Sequence, residues 1–336
     1  MKQQSLINRR EFIKLGLASL FAIAFKQNRF PSSALGEETP ILLGRTVSSL
    51  RYYDTPSVHG TELGYYNTDT VINIYETRMG DPLPRNNPLW LRTDQGWVQS
   101  VYVQFVQNQP TQPVYDIPSQ GFLGEVCVPF TQSWINNKGN LKRGYRYCYG
   151  TTHWINLITT DNFGNPWYQI VDDLFGGFYY VDATHIRQVT AEEVTPIHPE
   201  IQDKFIRVVL AEQKIYAYEN GRVIFTARCS TGTFAGDTPT GEFHVERKQP
   251  SRHMAADEEH GNGFDLPGVP WVSFISWTGV SLHGTYWHND YGVPRSHGCI
   301  NLTPAAAKWI YRWTTPNVPI ESNYVEAKDG TRVVIE

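Results

Sequence analysis

The sequence predicts a mainly β protein, in which two small barrels precede a β-sandwich or barrel with one short helix. Three observations favour this class. From 41 to about 190, short alternating strands are separated by turn residues, with no helical period of any length. From 203, longer apolar strands follow, and a helical pattern occurs only in TPAAAKWIYRWTTP, residues 303–316. We therefore predict barrels at 41–110 and 111–192 and a third domain at 203–336.

Each predicted barrel has the same order of features. TVINIYE, LWLRT and WVQSVYVQFV alternate apolar and polar positions, and WINLITTDNFGNPWYQIVDD with FYYVDATHIRQV follows further along the chain. Both halves place a strand, a glycine-containing turn and an aromatic-led strand in this order, which indicates a weak internal repeat. EEVTPIHPE, residues 192–200, carries two prolines and is predicted to be a linker.

The third region is predicted to begin with three strands within 204–232. Glu219, Asn220 and Gly221 suit a tight hairpin turn with positive φ angles. In the helical segment, Thr303 can cap the first turn, Pro304 suits the first helical position, and Pro316 ends the helix. We expect an antiparallel sandwich or barrel with one small helix.

The first 36 residues are predicted to be a removable export signal. Arg9-Arg10 and Lys14 precede an apolar run of 11 residues, too short for a stable membrane span. The segment resembles a twin-arginine signal, although an ordinary secretory signal or an uncleaved anchor would also fit. We expect the mature protein in the periplasm, cell wall or medium, without a stable membrane anchor.

Charge and cysteine content limit the partners and the redox chemistry. The formal charge is −4 with no basic stripe, which disfavours nucleic acid as a partner. Of the four cysteines, Cys127 and Cys148 could form a bridge in an oxidising compartment. Cys229 suits a buried strand position, and Cys299 has to remain free for the chemistry considered next.

One segment, SLHGTYWHNDYGVPRSHGCINL at 281–302, concentrates reactive side chains. A thiol attacks as the thiolate, so Cys299 needs a base or a local field that lowers its pKa. His283, His288 and His297 are the imidazoles available, and His297 can line the same cleft as Cys299. Gly298 lets the backbone N–H groups of residues 298 and 299 approach an oxyanion.

Two different interpretations use the same side chains. His283, His288, His297 and Cys299 could bind zinc, but there is one thiolate, no Cys-x-x-Cys pair, and Asp290 alone as a supporting carboxylate. Cys299 could instead be an inert buried cysteine beside solvated histidines. We predict neither a metal nor a cofactor.

The 281–302 segment resembles the signature of the L,D-transpeptidase catalytic domain, with TPTG at 238–241 as a supporting motif. The resemblance covers roughly 203–336. It implies that Cys299 is the nucleophile, that His283 is the general base, and that His297 supports the thiolate. Twelve residues separate His283 from Ser296, so we expect a shorter loop over the site than is common in the family.

The resemblance also implies roles for neighbouring residues. The Gly284 carbonyl would orient His283, and Ser296 and Asn301 would line the site and position substrate. The flanking side chains of Tyr286, Trp287 and Arg295 could contact the stem peptide or its carboxylate. The segment 252–271 is either a lid or acceptor-side wall, or a solvated loop.

The implied reaction is acyl transfer on peptidoglycan stem peptides, with a thioester intermediate and a 3→3 cross-link as product. Water as the acceptor would make the protein an L,D-carboxypeptidase. The residues 44–108 and 113–190 resemble bacterial SH3-like barrels, either spacers or modules that contact glycan or peptide. Two further hypotheses are a non-catalytic wall-binding protein and a papain-like endopeptidase, whose cysteine would lie at a helix N-terminus.

Overall fold

The computed structural model describes residues 38–81, 87–137, 139–256 and 263–336. The predicted export signal at 1–36 lies outside the described residues. Within the described part of the chain, no helix has both the length and the apolar character required to cross a bilayer.

Residues 42–106 form two sheets around a core of aliphatic side chains, among them Leu50, Ile74 and Val98. The strand order is β4-β1-β8 in a three-stranded sheet and β3-β2-β7-β6-β5 in a five-stranded sheet. The strands are β1 (Leu42–Thr46), β2 (Leu50–Tyr53), β3 (Glu62–Tyr66), β4 (Val71–Ile74), β5 (Glu76–Met79), β6 (Leu89–Arg92), β7 (Trp97–Gln99) and β8 (Val103–Val106).

Residues 122–188 form one seven-stranded sheet with the order β11-β10-β14-β13-β12-β9-β15. Its buried side includes Phe122, Tyr168 and Ile186. The strands are β9 (Phe122–Val126), β10 (Phe130–Asn137), β11 (Asn140–Cys148), β12 (Thr152–Thr160), β13 (Pro166–Val171), β14 (Phe178–Asp182) and β15 (Ile186–Gln188).

The mainly β class is confirmed, but the sheets as paired over the described residues do not close into barrels. Closure requires the two edge strands of a sheet to pair, and here the amino-terminal strands divide between two sheets. The strand pairing does not reproduce the predicted internal repeat. Residues 42–106 form two sheets, whereas residues 122–188 form a single seven-stranded sheet. The predicted linker begins with a helical turn, α1 (Ala191–Val194), capped by Thr190 and Glu193.

The remaining strands form two five-stranded sheets, in the orders β18-β17-β16-β25-β19 and β23-β22-β21-β20-β24. Helix α2 (Pro304–Trp313) packs on β21 and β22. The strands are β16 (Lys204–Val209), β17 (Lys214–Glu219), β18 (Arg222–Arg228), β19 (Gly241–His244), β20 (Arg247–Ala256), β21 (Phe264–Phe274), β22 (Ser281–Gly284), β23 (Ile300–Leu302), β24 (Val325–Glu326) and β25 (Arg332–Ile335).

The predicted turn and helix signals are confirmed in this region. Asn220 and Gly221 have φ angles of 47° and 72° in the β17–β18 hairpin. The Thr303 hydroxyl accepts a hydrogen bond from the Ala306 N–H at 3.2 Å, and Pro304 is the first residue of α2. The short helix after Cys299 is therefore where the sequence pattern predicted it.

The prediction of a purely antiparallel domain is wrong. Strand β16 pairs in parallel with β25, and β22 pairs in parallel with β23. A parallel pair needs a crossover of a dozen residues or more, and residues 285–299 provide one between β22 and β23. This crossover contains most of the 281–302 segment. The parallel pairing of β22 with β23, which the sequence did not reveal, therefore positions the reactive side chains of that segment.

Candidate active site

The parallel pairing of β22 with β23 brings His283 and Cys299 together. Leu282 lies opposite Ile300 and His283 lies opposite Asn301. Cys299 directly precedes β23 and reaches back to Ser281 at the start of β22, where the Ser281 hydroxyl is 3.6 Å from the Cys299 sulfur. Residues 16 positions apart in sequence therefore share one end of the sheet.

The His283 ring is buried and fixed in orientation. Its Nδ1 lies 3.0 Å from the Gly284 carbonyl oxygen, and the ring packs 5.8 Å from the Trp287 indole, centroid to centroid. A carbonyl oxygen only accepts, so Nδ1 carries the ring proton and Nε2 is left as the basic nitrogen. Gly284 itself allows this packing, since a Cβ there would lie 2.8 Å from Pro270.

The Cys299 thiol is in an environment that favours the thiolate. Burial raises the pKa of the Cys299 thiol, but the hydrogen bond and charge of His283 and the hydrogen bond of Ser281 outweigh burial, and the pKa lies below its ordinary value. The Gly279 carbonyl also lies 3.6 Å from the sulfur. The support of the thiolate by His297 stays a prediction.

A tight turn holds the residues that precede Cys299. The Ser296 hydroxyl donates to the Cys299 carbonyl at 2.6 Å and accepts from the Gly298 N–H at 3.0 Å. Ser296 thus shapes the turn, whereas we expected it to face substrate. Because the Gly298 N–H is already donated, only the Cys299 N–H remains of the two predicted oxyanion donors.

The TPTG motif supports the same turn. The Thr238 hydroxyl donates to the Gly298 carbonyl at 2.8 Å. Gly298 has a φ of 136°, and a Cβ on it would lie 2.7 Å from the Asp237 carbonyl oxygen. Only glycine fits this position without displacing the backbone of Asp237, the residue before the motif.

His288 lies against Asn301, the residue opposite His283 in the sheet, but it is a poor base. Burial and the charges of Arg295 and His283 lower the pKa of His288 to about 3. Its Nδ1 accepts the Asp290 N–H at 3.3 Å, so the proton of the neutral ring is on Nε2, 3.0 Å from the Asn301 amide. The buried Asn301 Oδ1 otherwise has no hydrogen-bond partner. A 180° rotation of the Asn301 side-chain amide lets this oxygen accept the His288 Nε2–H.

Three flanking residues have roles in packing. Arg295 is paired with the buried Asp290, its Nε 2.9 Å from the carboxylate, and this pair braces the crossover. We expected Tyr286 to contact the stem peptide in the cleft. Tyr286 is instead 6% exposed, and its hydroxyl donates a hydrogen bond to the Pro267 carbonyl, so it lies in the core. Trp287 packs edge-on against Tyr286 at 5.0 Å.

A cleft of about 790 Å³ opens beside Cys299, a size that suits a small peptide. His297 is exposed on its wall, with its ring 5.4 Å from Phe264 of β21. His297 and Cys299 therefore line one cleft, as predicted. The other described lining residues are Leu174, Arg247, Gln249, Arg252, His253, Met254, Ala255, Ala256, Phe274, Trp277, Thr278, Gly279, Val280, Gly298 and Tyr324.

The segment 252–271 includes residues of both strands of the β20–β21 hairpin. Met254, Ala256 and Phe264 form part of the cleft wall. Residues 257–262 lie outside the described part of the chain. Residues of both strands therefore line the cleft, and a role as lid or acceptor-side wall stays a prediction.

The other cysteines are free and buried, so the Cys127–Cys148 bridge that we considered is not formed. Burial raises the pKa of the Cys148 thiol to about 11 and that of Cys229 to about 12. Within the described ranges, no group of three His, Cys, Asp or Glu side chains is arranged to hold a metal ion. His283, His288, His297 and Cys299 accordingly do not form a zinc site.

Sequence reasoning missed several residues around the thiol. Ser281 precedes His283 by two positions in the same strand, and this alternation was the signal that could have revealed a shared face. Gly279 and Trp277 come from the turn between β21 and β22. Arg247 belongs to β20, distant in sequence, and no motif pointed to it.

The carboxy-terminal region matches a known family. Residues 203–335 match the family model of the L,D-transpeptidase catalytic domain, YkuD. The segment is 34% identical over 109 residues to L,D-transpeptidase 1 of Mycobacterium tuberculosis, covering 30% of this chain and 43% of that protein. It is 29% identical over 143 residues to the putative L,D-transpeptidase YciB of Bacillus subtilis, covering 38% and 69%.

Solved structures of L,D-transpeptidases are also similar to this chain. The catalytic domain of the Enterococcus faecium enzyme is 27% identical, covering 40% of this chain and 98% of that one, with a TM-score of 0.32. An L,D-transpeptidase of Mycobacterium smegmatis is 16% identical, covering 80% and 100%, with a TM-score of 0.34.

The family model and the sequence relatives agree on the class that this region is similar to, the L,D-transpeptidases. The family model matches residues 203–335, which is less than half of the chain. The chain matches less than half of the length of the Mycobacterium tuberculosis relative, 43%.

Proposed function

We propose that the protein is a peptidoglycan L,D-transpeptidase that forms 3→3 cross-links through a thioester on Cys299. The observation that carries this proposal is the contact of a buried, oriented His283 with a thiol of lowered pKa at the edge of a peptide-sized cleft. The family match of residues 203–335 supports it. Such a reaction requires export, and the twin-arginine-like segment at 1–36 is consistent with that location.

In the acylation step, His283 Nε2 takes the thiol proton and the Cys299 sulfur attacks the carbonyl carbon of the third stem residue. The Cys299 N–H stabilises the oxyanion. The bond to the departing D-Ala nitrogen breaks as His283 returns the proton to that nitrogen, which leaves a thioester.

In the second step, the amine of a neighbouring stem attacks the thioester carbonyl. Its proton passes to His283, the carbon–sulfur bond breaks, and the thiolate is regenerated. His283 acts as base and then acid with one ring nitrogen, because the Gly284 carbonyl holds the other nitrogen protonated.

The proposal is tested by incubating the mature protein with disaccharide-tetrapeptide and separating the muropeptides. We expect 3→3 linked dimers and free D-Ala from the wild type and neither from Cys299→Ala. His283→Ala should lower kcat by about a hundredfold or more, the scale of lost general-base catalysis. Tripeptide without dimer would identify a carboxypeptidase, and unchanged substrate would refute the proposal.

A control variant separates loss of chemistry from loss of fold. Cys127→Ala changes a cysteine in the core of the seven-stranded sheet region, residues 122–188. The Cys127 sulfur contacts the Thr184 carbonyl and does not line the cleft. We expect this variant to retain full activity. Far-ultraviolet circular dichroism of Cys299→Ala should match that of the wild type.

A further inference from the structure

The cleft beside Cys299 carries an arginine that the proposed mechanism does not use. Among its described lining residues, Arg247 and Arg252 are the side chains with a permanent charge, and none is an aspartate or glutamate. Arg252 is already paired with Asp173 at 2.6 Å. Arg247 makes no ion pair with any residue in the described ranges.

Two aromatic rings fix the position of Arg247. Its guanidinium lies 4.1 Å from the centroid of Phe274 and 4.7 Å from that of Trp277. Glu326 is opposite Arg247 in the strand register, but its carboxylate accepts the Tyr324 hydroxyl at 2.8 Å. A guanidinium that stacks on aromatic rings uses its planar faces, so the N–H groups along its edge stay free to donate. Two parallel N–H groups have the spacing to donate to the two oxygens of one carboxylate.

Arg247 and Cys299 line the same cleft, and the turn that carries Trp277 and Gly279 lies between β21 and β22 on its wall. This turn is closed by hydrogen bonds from the Gly279 N–H to the Ser276 carbonyl and from the Ile275 N–H to the Val280 carbonyl. The Gly279 carbonyl lies 3.6 Å from the Cys299 sulfur. Trp277 and Gly279 are two residues apart, within about 7 Å. Because Arg247 and Cys299 line one cleft, we expect a peptide that is bound at the sulfur and extends along this wall to meet Arg247.

We propose that Arg247 binds a free carboxylate of the donor peptide and so selects donors that carry one next to the attacked carbonyl. This inference rests on the proposed function, because it assigns a substrate feature to the same site. Two carboxylates of the donor could bind Arg247 in this way. One is the side-chain carboxylate of the attacked residue, and the other is the terminal carboxylate of the leaving residue.

The test compares three tetrapeptide donors in wild type and Arg247→Gln. One donor has both carboxylates free, one has the side-chain carboxylate of the third residue amidated, and one has the terminal carboxylate amidated. On the free donor, Arg247→Gln should lose about tenfold in kcat/KM, mainly through KM, the scale of one charge-assisted pair at a partly exposed site. On the donor in which the carboxylate bound by Arg247 is amidated, the loss of kcat/KM caused by Arg247→Gln should be under about twofold. The donor that shows this small loss identifies which of the two carboxylates Arg247 binds.

Two further variants make the comparison specific. Arg247→Lys keeps the charge but loses the planar fork, so it should restore only part of the affinity. Arg332→Gln is the matched control, since Arg332 also lies over an aromatic ring, Phe205 at 4.7 Å, but outside the cleft. We expect it to leave all three donors unaffected.

An equal loss on all three donors would overturn the proposal and show that Arg247 only holds Trp277 in place. No loss on any donor would overturn it as well. Binding of the three peptides to Cys299→Ala, with and without Arg247→Gln, is measured by calorimetry in parallel. If the wild type turns over no donor, the proposed function fails while this binding measurement still decides the role of Arg247.

Discussion

The hydroxyl of Ser281 is one of two groups that lower the pKa of the Cys299 thiol against the effect of burial. Ser281→Ala removes that hydrogen bond, worth about 1 kcal/mol, so we expect the thiol pKa to rise and kcat to fall roughly three- to tenfold. The measurement is kcat together with the pH profile of thiol alkylation. Ser119→Ala, at an exposed serine far from the site, serves as control. Unchanged kcat and profile would exclude Ser281 from the activation of the thiol.

Gly298 is constrained both by its φ angle and by the carbonyl of Asp237. We expect Gly298→Ala to lower the free energy of unfolding by about 1–3 kcal/mol and to slow alkylation of Cys299, because the turn before the thiol has to shift. Gly236→Ala is the matched control, since Gly236 has a φ of 92° with no atom near its Cβ position. Equal effects of the two changes would show that φ strain alone matters at 298.

At the residue scale, the sequence singled out Cys299 and His283, because a thiol needs a nearby base and few were available; the structure places them together, and their roles stay a prediction. It failed for Ser296 and Tyr286. Hydroxyl groups beside a reactive residue can serve the backbone or the substrate equally well, and only the hydrogen-bond geometry separates the two uses.

At the scale of elements, the hairpin of β20 and β21 is held by a buried histidine. His253 contacts the carboxylates of Asp172, from the β13–β14 connection, and Asp265 of β21. The groups that face it from all sides are Asp172, Asp173, Asp265, Tyr145, Phe175 and the neutral His153. Burial lowers the pKa of His253, but the hydrogen bonds of Asp172 and Asp265 outweigh burial and the pKa is raised.

The raised pKa of His253 gives a pH-dependent stability. Its contribution is fully present below the unfolded pKa, about 6.5, and is lost as pH rises through the folded pKa. Burial raises the pKa of Asp172, but its hydrogen bonds lower it overall, so its contribution is present above about 3.9 and is lost as pH falls through the folded value. We expect the Tm to fall as pH rises above about 6.5, and to do so less in His253→Gln.

Thermal unfolding between pH 5 and 9 measures this difference, with His59→Gln at an exposed histidine as control. Parallel curves for wild type and His253→Gln would contradict the ionic role of His253. No sequence pattern pointed to this cluster, because Asp172 is 81 residues from His253 along the chain. The β22–β23 pairing escaped prediction for a related reason, since strand patterns do not specify partners.

At the scale of the whole molecule, residues 39–336 pack as one compact unit. Arg45 of β1 contributes to this packing. Its buried guanidinium donates to Gln104, to Asp69 and to the Tyr286 carbonyl of the crossover between β22 and β23, the last at 2.7 Å. A buried cation with three acceptors ties the amino-terminal sheets to the loop that carries His288 and Arg295.

We therefore expect Arg45→Met to lower the free energy of unfolding by about 2–3 kcal/mol, since Asp69 keeps Arg146 as a partner. The amino-terminal sheets and the catalytic region should be destabilised together, in a single calorimetric transition. Arg51→Met, at an exposed arginine paired with Glu62, should change stability by less than about 0.5 kcal/mol. Two separate transitions in Arg45→Met would show that the regions unfold independently.

Composition and strand periodicity were sufficient for the mainly β class of the whole molecule, because alternation reports which face of a strand is buried. They could not distinguish closed barrels from open sheets. Closure depends on edge pairing, which local patterns do not encode. The packing of the amino-terminal sheets against the crossover was equally invisible, since Arg45 resembles any other charged strand residue in the sequence.

Activation of the Cys299 thiol by His283 can be measured as the rate of alkylation by iodoacetamide as a function of pH, followed by intact and peptide mass. We predict that Cys299 reacts alone among the four cysteines, with a midpoint below the ordinary thiol value of about 8.5. In His283→Ala the midpoint should rise above that value, because burial is then opposed only by the weaker hydrogen bonds of Ser281. Identical profiles for wild type and His283→Ala, or a wild-type midpoint at or above about 8.5, would contradict an imidazole-activated thiolate.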